Sequence, residues 1–331
     1  SDLCLQSITT TTLTADSIHS LGEHEVATLQ GEMRRILTAQ GYHDRDLAAT
    51  IRSVFAEPRF GFAPGDSGRA QILAAYQAIL DDARARVQPL FGIQPKARLQ
   101  VVRVPAFKEA TSPGAYYQEP SIGGKRPGQF FANLRDPAET RRPEMRTLAY
   151  HEGIPGHHFQ LSIQGELKGV PFFRRVIPFT AYAEGWGLYA ERLGYENGFQ
   201  RDAYDSLGAL QAELFRAVRL VVDTGIHREH WTRQQAIDYM VANTGMKESE
   251  VVTEIERYIV MPGQACAYKV GQLEIIALRE RARAELGPRF DIKRFHDVVL
   301  GNGSLPLSLL DRVVDEWVQD ELKRPMSTER G

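Results

Sequence analysis

Cysteine is nearly absent from this 331-residue chain, with only Cys4 and Cys266. Two thiols so far apart exclude a disulfide framework and a thiolate metal site, leaving one long-range disulfide or two buried thiols. Long apolar runs are missing as well. No stretch approaches the roughly 20 residues of a membrane helix, so no membrane insertion is expected. Nor is there an excess of positive charge: 40 Lys and Arg face 42 Asp and Glu, a formal net charge of −2 with no long basic run. That balance argues against nucleic acid or anionic membrane as partners. Internal repeats and low-complexity linkers are lacking. The opening Ser1-Asp2-Leu3 has neither an initiator Met nor a signal-peptide pattern, so the expectation is a fragment without an N-terminal portion. The compartment is therefore open, periplasmic or secreted if that portion carries a signal and cytoplasmic otherwise. Oligomeric state is not readable.

What is present is mostly helical periodicity. Residues 14–41 place Ile18, Leu21, Val26, Leu29 and Met33 near one face, with Gly41 as a stop. Residues 44–56 and 67–90 follow the same pattern. Valine-rich alternation at 97–107, then turn signals at Gly123-Gly124 and Pro127-Gly128 within 114–134, predict a small β-sheet near residues 97–134. Helices are expected over 143–152, 157–167, 180–195, 203–229, 232–243, 247–260, 263–286 and 305–323, with Thr232 and Gln235 as a capping box. The sum is a single, mainly α unit over residues 1–331.

One stretch carries chemistry, YHEGIPGHHF at 150–159. In the zinc-hydrolase pattern H-E-x-x-H, the i, i+4 histidines share a helix face and the glutamate activates metal-bound water. His151-Glu152 fits, but position 155 is proline. On an unbroken helix His157 would point about 240° away, and His158 would lie about 10 Å along the axis. Gly153, Pro155 and Gly156 are helix breakers, however, and a two-residue bulge would bring His157 into the i+4 role. His158 is the alternative ligand, and a polar helix–turn–helix corner is the alternative to any metal site. In AYAEGWGLYAERL (181–193), Glu184 and Glu191 share a largely apolar face, where a carboxylate needs a cation or a hydrogen-bond partner. Glu184 reads as the third ligand and Glu191 as acceptor for a ligand histidine, unless both acids face solvent or pair with Arg192 and Arg174.

HEGIPGHHFQ, AEGWGLYAERLG, RLVVDTGIH with WTRQQAIDYM, RYIVMPGQACAYKVGQLE and FHDVVLGNGSLPLSLL together resemble the domain-of-unknown-function 885 family, from about Thr9 to Trp317. That bacterial family is similar to the gluzincin zinc metallopeptidases. The resemblance implies a multi-helix gluzincin-like fold and a chain forming the C-terminal portion of longer members.

Further residues suit such an enzyme. Asp223 and His227, one helical turn apart, could form a supported imidazole for an oxyanion, with Asp223 standing behind the metal ligands, or a surface ion pair. Tyr268 could donate to the scissile carbonyl, and Arg257, with Gln264, could hold a substrate carboxylate; packing with a satisfied polar tip is the alternative. GQFFANL (128–134) reads as an edge strand able to pair with an extended peptide, with Asn133 adding a contact. The expected function is a zinc-dependent hydrolase of a peptide or small amide substrate, with Zn2+ on His151, His157 and Glu184, and Glu152 as base. Its rivals are a zinc amidase or esterase for a small molecule and a non-catalytic helical scaffold.

Overall fold

Apolar residues recurring every three or four positions wind most of the chain into helices. The computed structural model describes residues 2–121 and 125–325, and is mainly helical with one small sheet. Ahead of the sheet lie α1 (Asp2–Thr9), α2 (Ala15–Ala39), α3 (Leu47–Phe55) and α4 (Gly65–Arg86). In α2 the Thr14 hydroxyl caps the first turn by accepting from Ser17 N, and Ile18, Gly22, Val26, Leu29, Met33 and Leu37 form one buried stripe.

The sheet holds β1 (Leu99–Arg103), β2 (Ala115–Gln118) and β3 (Gly128–Ala132), in spatial order β1-β3-β2. β1 runs parallel to β3 with Leu99 opposite Gly128, and β2 runs antiparallel to it with Ala115 opposite Ala132. GQFFANL is therefore the central strand, not an edge. Both its sides are already paired, so it has no free ladder for a peptide. The turn expected at Gly123-Gly124 lies outside the described residues.

From there the chain forms α5 (Arg142–Glu152), α6 (His157–Glu166), α7 (Phe172–Val176), α8 (Thr180–Glu196) and α9 (Ala203–His227). It continues through α10 (Arg233–Thr244), α11 (Glu248–Val260), α12 (Ala267–Leu286), α13 (Ile292–Gly301) and α14 (Leu307–Lys323). The Thr232–Gln235 capping box forms at the head of α10. α1, α7 and α13 had no counterpart in the sequence reading. α13 had the signal, since Phe295, His296, Val299 and Leu300 make a helical buried face.

Apolar side chains gather in two main groups. One, including Phe130, Tyr150, Trp186, Leu278 and Phe295, joins the sheet to α4–α6, α8 and α12–α14. The other, including Leu29, Met33, Leu214, Val221 and Ile255, joins α2, α3 and α9–α11. α9 packs against both α2 and α5, and α8 packs against α12. That last pair is backbone-close: a Cβ on Gly185 would come within 2.5 Å of Gly271. α8 is thus held rigidly beside the end of α5.

Candidate metal centre

α5 stops at Glu152 because the next four residues cannot continue it. Pro155 has no N–H to give, and a Cβ on Gly156 would lie 1.9 Å from the His151 carbonyl oxygen. Residues 153–156 form a turn, and α6 restarts at His157. Trp186, wholly buried on α8, pins this corner by donating its indole N–H to the Pro155 carbonyl at 2.9 Å. The turn brings the His151 and His157 rings together, perpendicular, with centroids 4.8 Å apart. His158 turns the other way. It is buried, with Nδ1 3.0 Å from the Tyr117 hydroxyl and 3.3 Å from Ser162 Oγ, and burial lowers its pKa to about 4. His157, not His158, meets His151.

α8 supplies the carboxylates. Glu184 Oε2 lies 3.3 Å from His151 Nε2 and 3.6 Å from His157 Nε2. Two turns along, Glu191 accepts from His151 Nδ1 at 2.7 Å and also from the Thr147 hydroxyl. A carboxylate only accepts, so Nδ1 of His151 carries a hydrogen, and Nε2 is the atom turned to Glu184, protonated without a cation and free to donate its lone pair to one that binds. Gly187 makes room for this, since a Cβ there would stand 2.7 Å from His151 Cε1. Glu152 joins the group: one ligand atom each of His151, Glu152 and His157 lie within 4.8 Å of one another.

Burial alone would push His151 down, but Glu184 and Glu191 beside it raise its pKa to about 10. Burial would lift Glu184, yet His151 and His157 hold its carboxyl well below the usual range. Both shifts ask for positive charge between the rings and the carboxylate, which a proton or a cation can supply. The spacing suits a cation. A tetrahedral ion with ligand distances of about 2.0–2.1 Å separates its donors by roughly 3.3 Å. Two imidazoles and a carboxylate, one ring oriented by a second acid, fit zinc.

The cluster opens into a cleft of about 1250 Å³. His151, Glu152, His157 and Glu184 line it, together with Tyr116 and Tyr117 of β2 and Tyr268 at the start of α12. Tyr268 is half-buried, and its hydroxyl makes no hydrogen bond among the described residues.

Over residues 2–314 the sequence matches a family described as bacterial protein of unknown function, DUF885. The chain belongs to this family. Two solved structures resemble this DUF885 chain, each described as a "putative lipoprotein". The one from Colwellia psychrerythraea shares 42% identity and a TM-score of 0.93, covering 96% of this chain and 54% of that one. The other, of unknown function, from Shewanella oneidensis, shares 21% identity and a TM-score of 0.79, covering 94% and 58%, a likeness of fold alone. The DUF885 chain thus spans little more than half of either protein. No curated protein matches it.

His227, Arg257, Gln264, Asn133 and Asp223, all expected at the site, do not line the cleft of the DUF885 chain. His227 gives its Nε2 to the Tyr258 carbonyl at 2.9 Å, so it is tied to the end of α11. Arg257 bonds Gln264 at 2.6 Å and Glu254 at 2.9 Å, so Arg257 and Gln264 satisfy each other. Asn133 ties a loop, donating to the carbonyls of Glu109 and Ser112 and accepting from Arg135 N. Asp223 does not support a metal ligand: its two carboxylate oxygens take the Gly263 N–H, each at 3.0 Å, and burial raises its pKa to about 6. It braces the turn that starts α12, hence Tyr268. Among the cleft residues that the sequence does not single out are Arg216 and Arg219 of α9. The signal for Arg219 was there, a lone cation within the run Ala217-Val218-Arg219-Leu220-Val221-Val222.

Proposed function

We propose that this DUF885 chain is a zinc-dependent hydrolase of peptide or peptide-like amide bonds, with a centre like that of the gluzincins. The observation that carries this reading is the convergence of His151 Nε2, His157 Nε2 and Glu184 Oε2 at 3.3 and 3.6 Å beside Glu152. A divalent cation there would supply the Lewis acidity that polarises a carbonyl and acidifies water. Glu191 keeps the lone pair of His151 turned inward. Glu152 takes the proton from water and returns it to the leaving amine. Tyr268, which lines the same cleft, donates to the oxyanion in place of His227. Size favours a peptide over a small amide or ester: about 1250 Å³ exceeds the roughly 300–1,000 Å³ of small-molecule sites. No helix among the described residues is long and apolar enough to cross a membrane, and the lipoprotein description of the 42% identical Colwellia protein supports work at the cell envelope.

Elemental analysis and a peptide-library digest test the reading together. The expected result is one zinc per chain, lost in His151→Ala, with cleavage reduced about 10²–10⁴-fold in Glu152→Gln while zinc is kept. A chain that takes up no metal from excess zinc would sink the proposal and leave the scaffold reading.

A further inference from the structure

Arg219 has more hydrogen-bonding capacity than its surroundings use. It is 6% exposed, its Nε donates to the Tyr258 hydroxyl at 2.9 Å, and one Nη donates to Glu254 at 3.1 Å. The other, Nη1, is screened from water and has no partner among the described residues. One turn earlier, Arg216 donates from Nη1 to the Ala212 carbonyl, while its buried Nε is also without a partner. An unpaired buried N–H on a guanidinium is costly, and two in one stretch of cleft wall call for an acceptor from outside the chain.

The charge count agrees. Among the described residues Glu254 is the one carboxylate bonded to Arg219, and it is shared with Arg257 and Tyr258. The Arg219 guanidinium lies between aromatic rings, 4.2 Å from the centroid of Phe215 and 4.7 Å from that of Tyr268. Such stacking fixes the plane of the guanidinium and the direction of its unpaired Nη1, which can donate to a carboxylate oxygen. The geometry points to Arg219 and Arg216 as a carboxylate-binding subsite of the cleft, beside Tyr268. The inference rests on the hydrolase reading for its substrate, a peptide, and adds that the peptide is held by a carboxylate. Arg219 thereby takes the role that the sequence suggested for Arg257.

The test uses binding, so it is separable from catalysis. Zinc-loaded Glu152→Gln protein, which holds peptides uncleaved, is incubated with random tripeptides as free acids and as C-terminal amides, and retained species are quantified by mass spectrometry. We expect acids to be retained at least tenfold over amides, or, if a side chain supplies the carboxylate, amides containing Asp or Glu over those without. The preference should fall to near unity when Arg219→Gln is added and weaken several-fold with the less buried Arg216→Gln. Equal retention of acids, acidic amides and neutral amides, or no retention at all, overturns the subsite without needing any arginine variant. So does a preference that survives in both arginine variants, each checked for folding by its thermal transition. Failure of the hydrolase reading would show elsewhere, as absent zinc or absent turnover in the parent chain.

Discussion

Two walls of one cleft are built in different ways. The α5–α6 corner draws His151, Glu152 and His157 from seven consecutive residues, with Glu184 arriving from a helix locked by Trp186 and by the Gly185–Gly271 approach. The α9–α12 wall draws Arg216, Arg219 and Tyr268 from positions some fifty residues apart in sequence. In the first, chemistry follows chain neighbours; in the second, it follows how α9 and α12 happen to pack. Local residue types and spacing therefore say much about the first wall and little about the second.

The most damaging way to break the first wall is to crowd it. Gly187→Ala sets a methyl group 2.7 Å from His151 Cε1 and 2.8 Å from Nε2, on a helix too tightly packed to retreat. Zinc affinity should fall by about 100-fold or more, the upper range for misplaced ligands. Gly165→Ala is the control, since nothing lies within 4 Å of that Cβ. It should keep zinc and leave stability equal or higher by about 0.5–1 kcal/mol. Calorimetric zinc titration of the two variants decides, and Gly187→Ala binding like the parent would refute the packing argument.

A milder break removes orientation and leaves space alone. Glu191→Gln keeps a group within reach of Thr147 and His151 but discards the charge and lets the amide present either face. Zinc should bind about 10–100-fold more weakly. An unchanged affinity would mean that packing by itself orients the His151 ring.

This contrast also explains what the sequence could reveal. The helices other than α1, α7 and α13, the capping box at Thr232, the sheet region and the pairing of His151 with His157 are legible because each is written in neighbouring residues: a cap, a stripe, a breaker cluster. The edge position of GQFFANL was not, because strand order depends on pairing partners that alternation does not name. Arg257, Gln264, His227 and Asn133 have suitable chemistry, but each has a partner close at hand. Arg219 carries the opposite lesson, a cation inside an apolar run whose neighbours leave one nitrogen unpaired.

A buried histidine away from the cleft lining sharpens the comparison through pH. His296 is buried, with Nε2 2.7 Å from the Tyr189 hydroxyl and Nδ1 2.7 Å from the Leu90 carbonyl. Burial, only partly offset by the Leu90 bond and reinforced by the nearby Arg279 charge, lowers its pKa to about 3. The ring thus stays neutral in the fold but takes a proton when unfolded, below about 6.5. Its contribution is complete above that value and is lost as pH falls towards 3, at up to about 1.4 kcal/mol per pH unit. His296→Asn should be less stable at pH 7 yet show a shallower decline between pH 6 and 4. Denaturant titrations of both proteins measure this, and parallel declines would remove His296 as a source of acid sensitivity.

The smallest expected effect is the most discriminating for the second wall. Arg257→Gln removes bonds to Gln264 and Glu254 outside the cleft, so it should change kcat/KM by less than about twofold and stability by at most about 1 kcal/mol. Arg219→Gln differs by one α-helix in origin and by one unpaired nitrogen in chemistry, and it should raise KM for carboxylate-bearing peptides far more than it lowers kcat. If Arg257→Gln raised KM to the same degree, the bound peptide would have to extend past Tyr268 to α11. The carboxylate would then be held by the Glu254-centred network as a whole, and the wall would begin one helix further out.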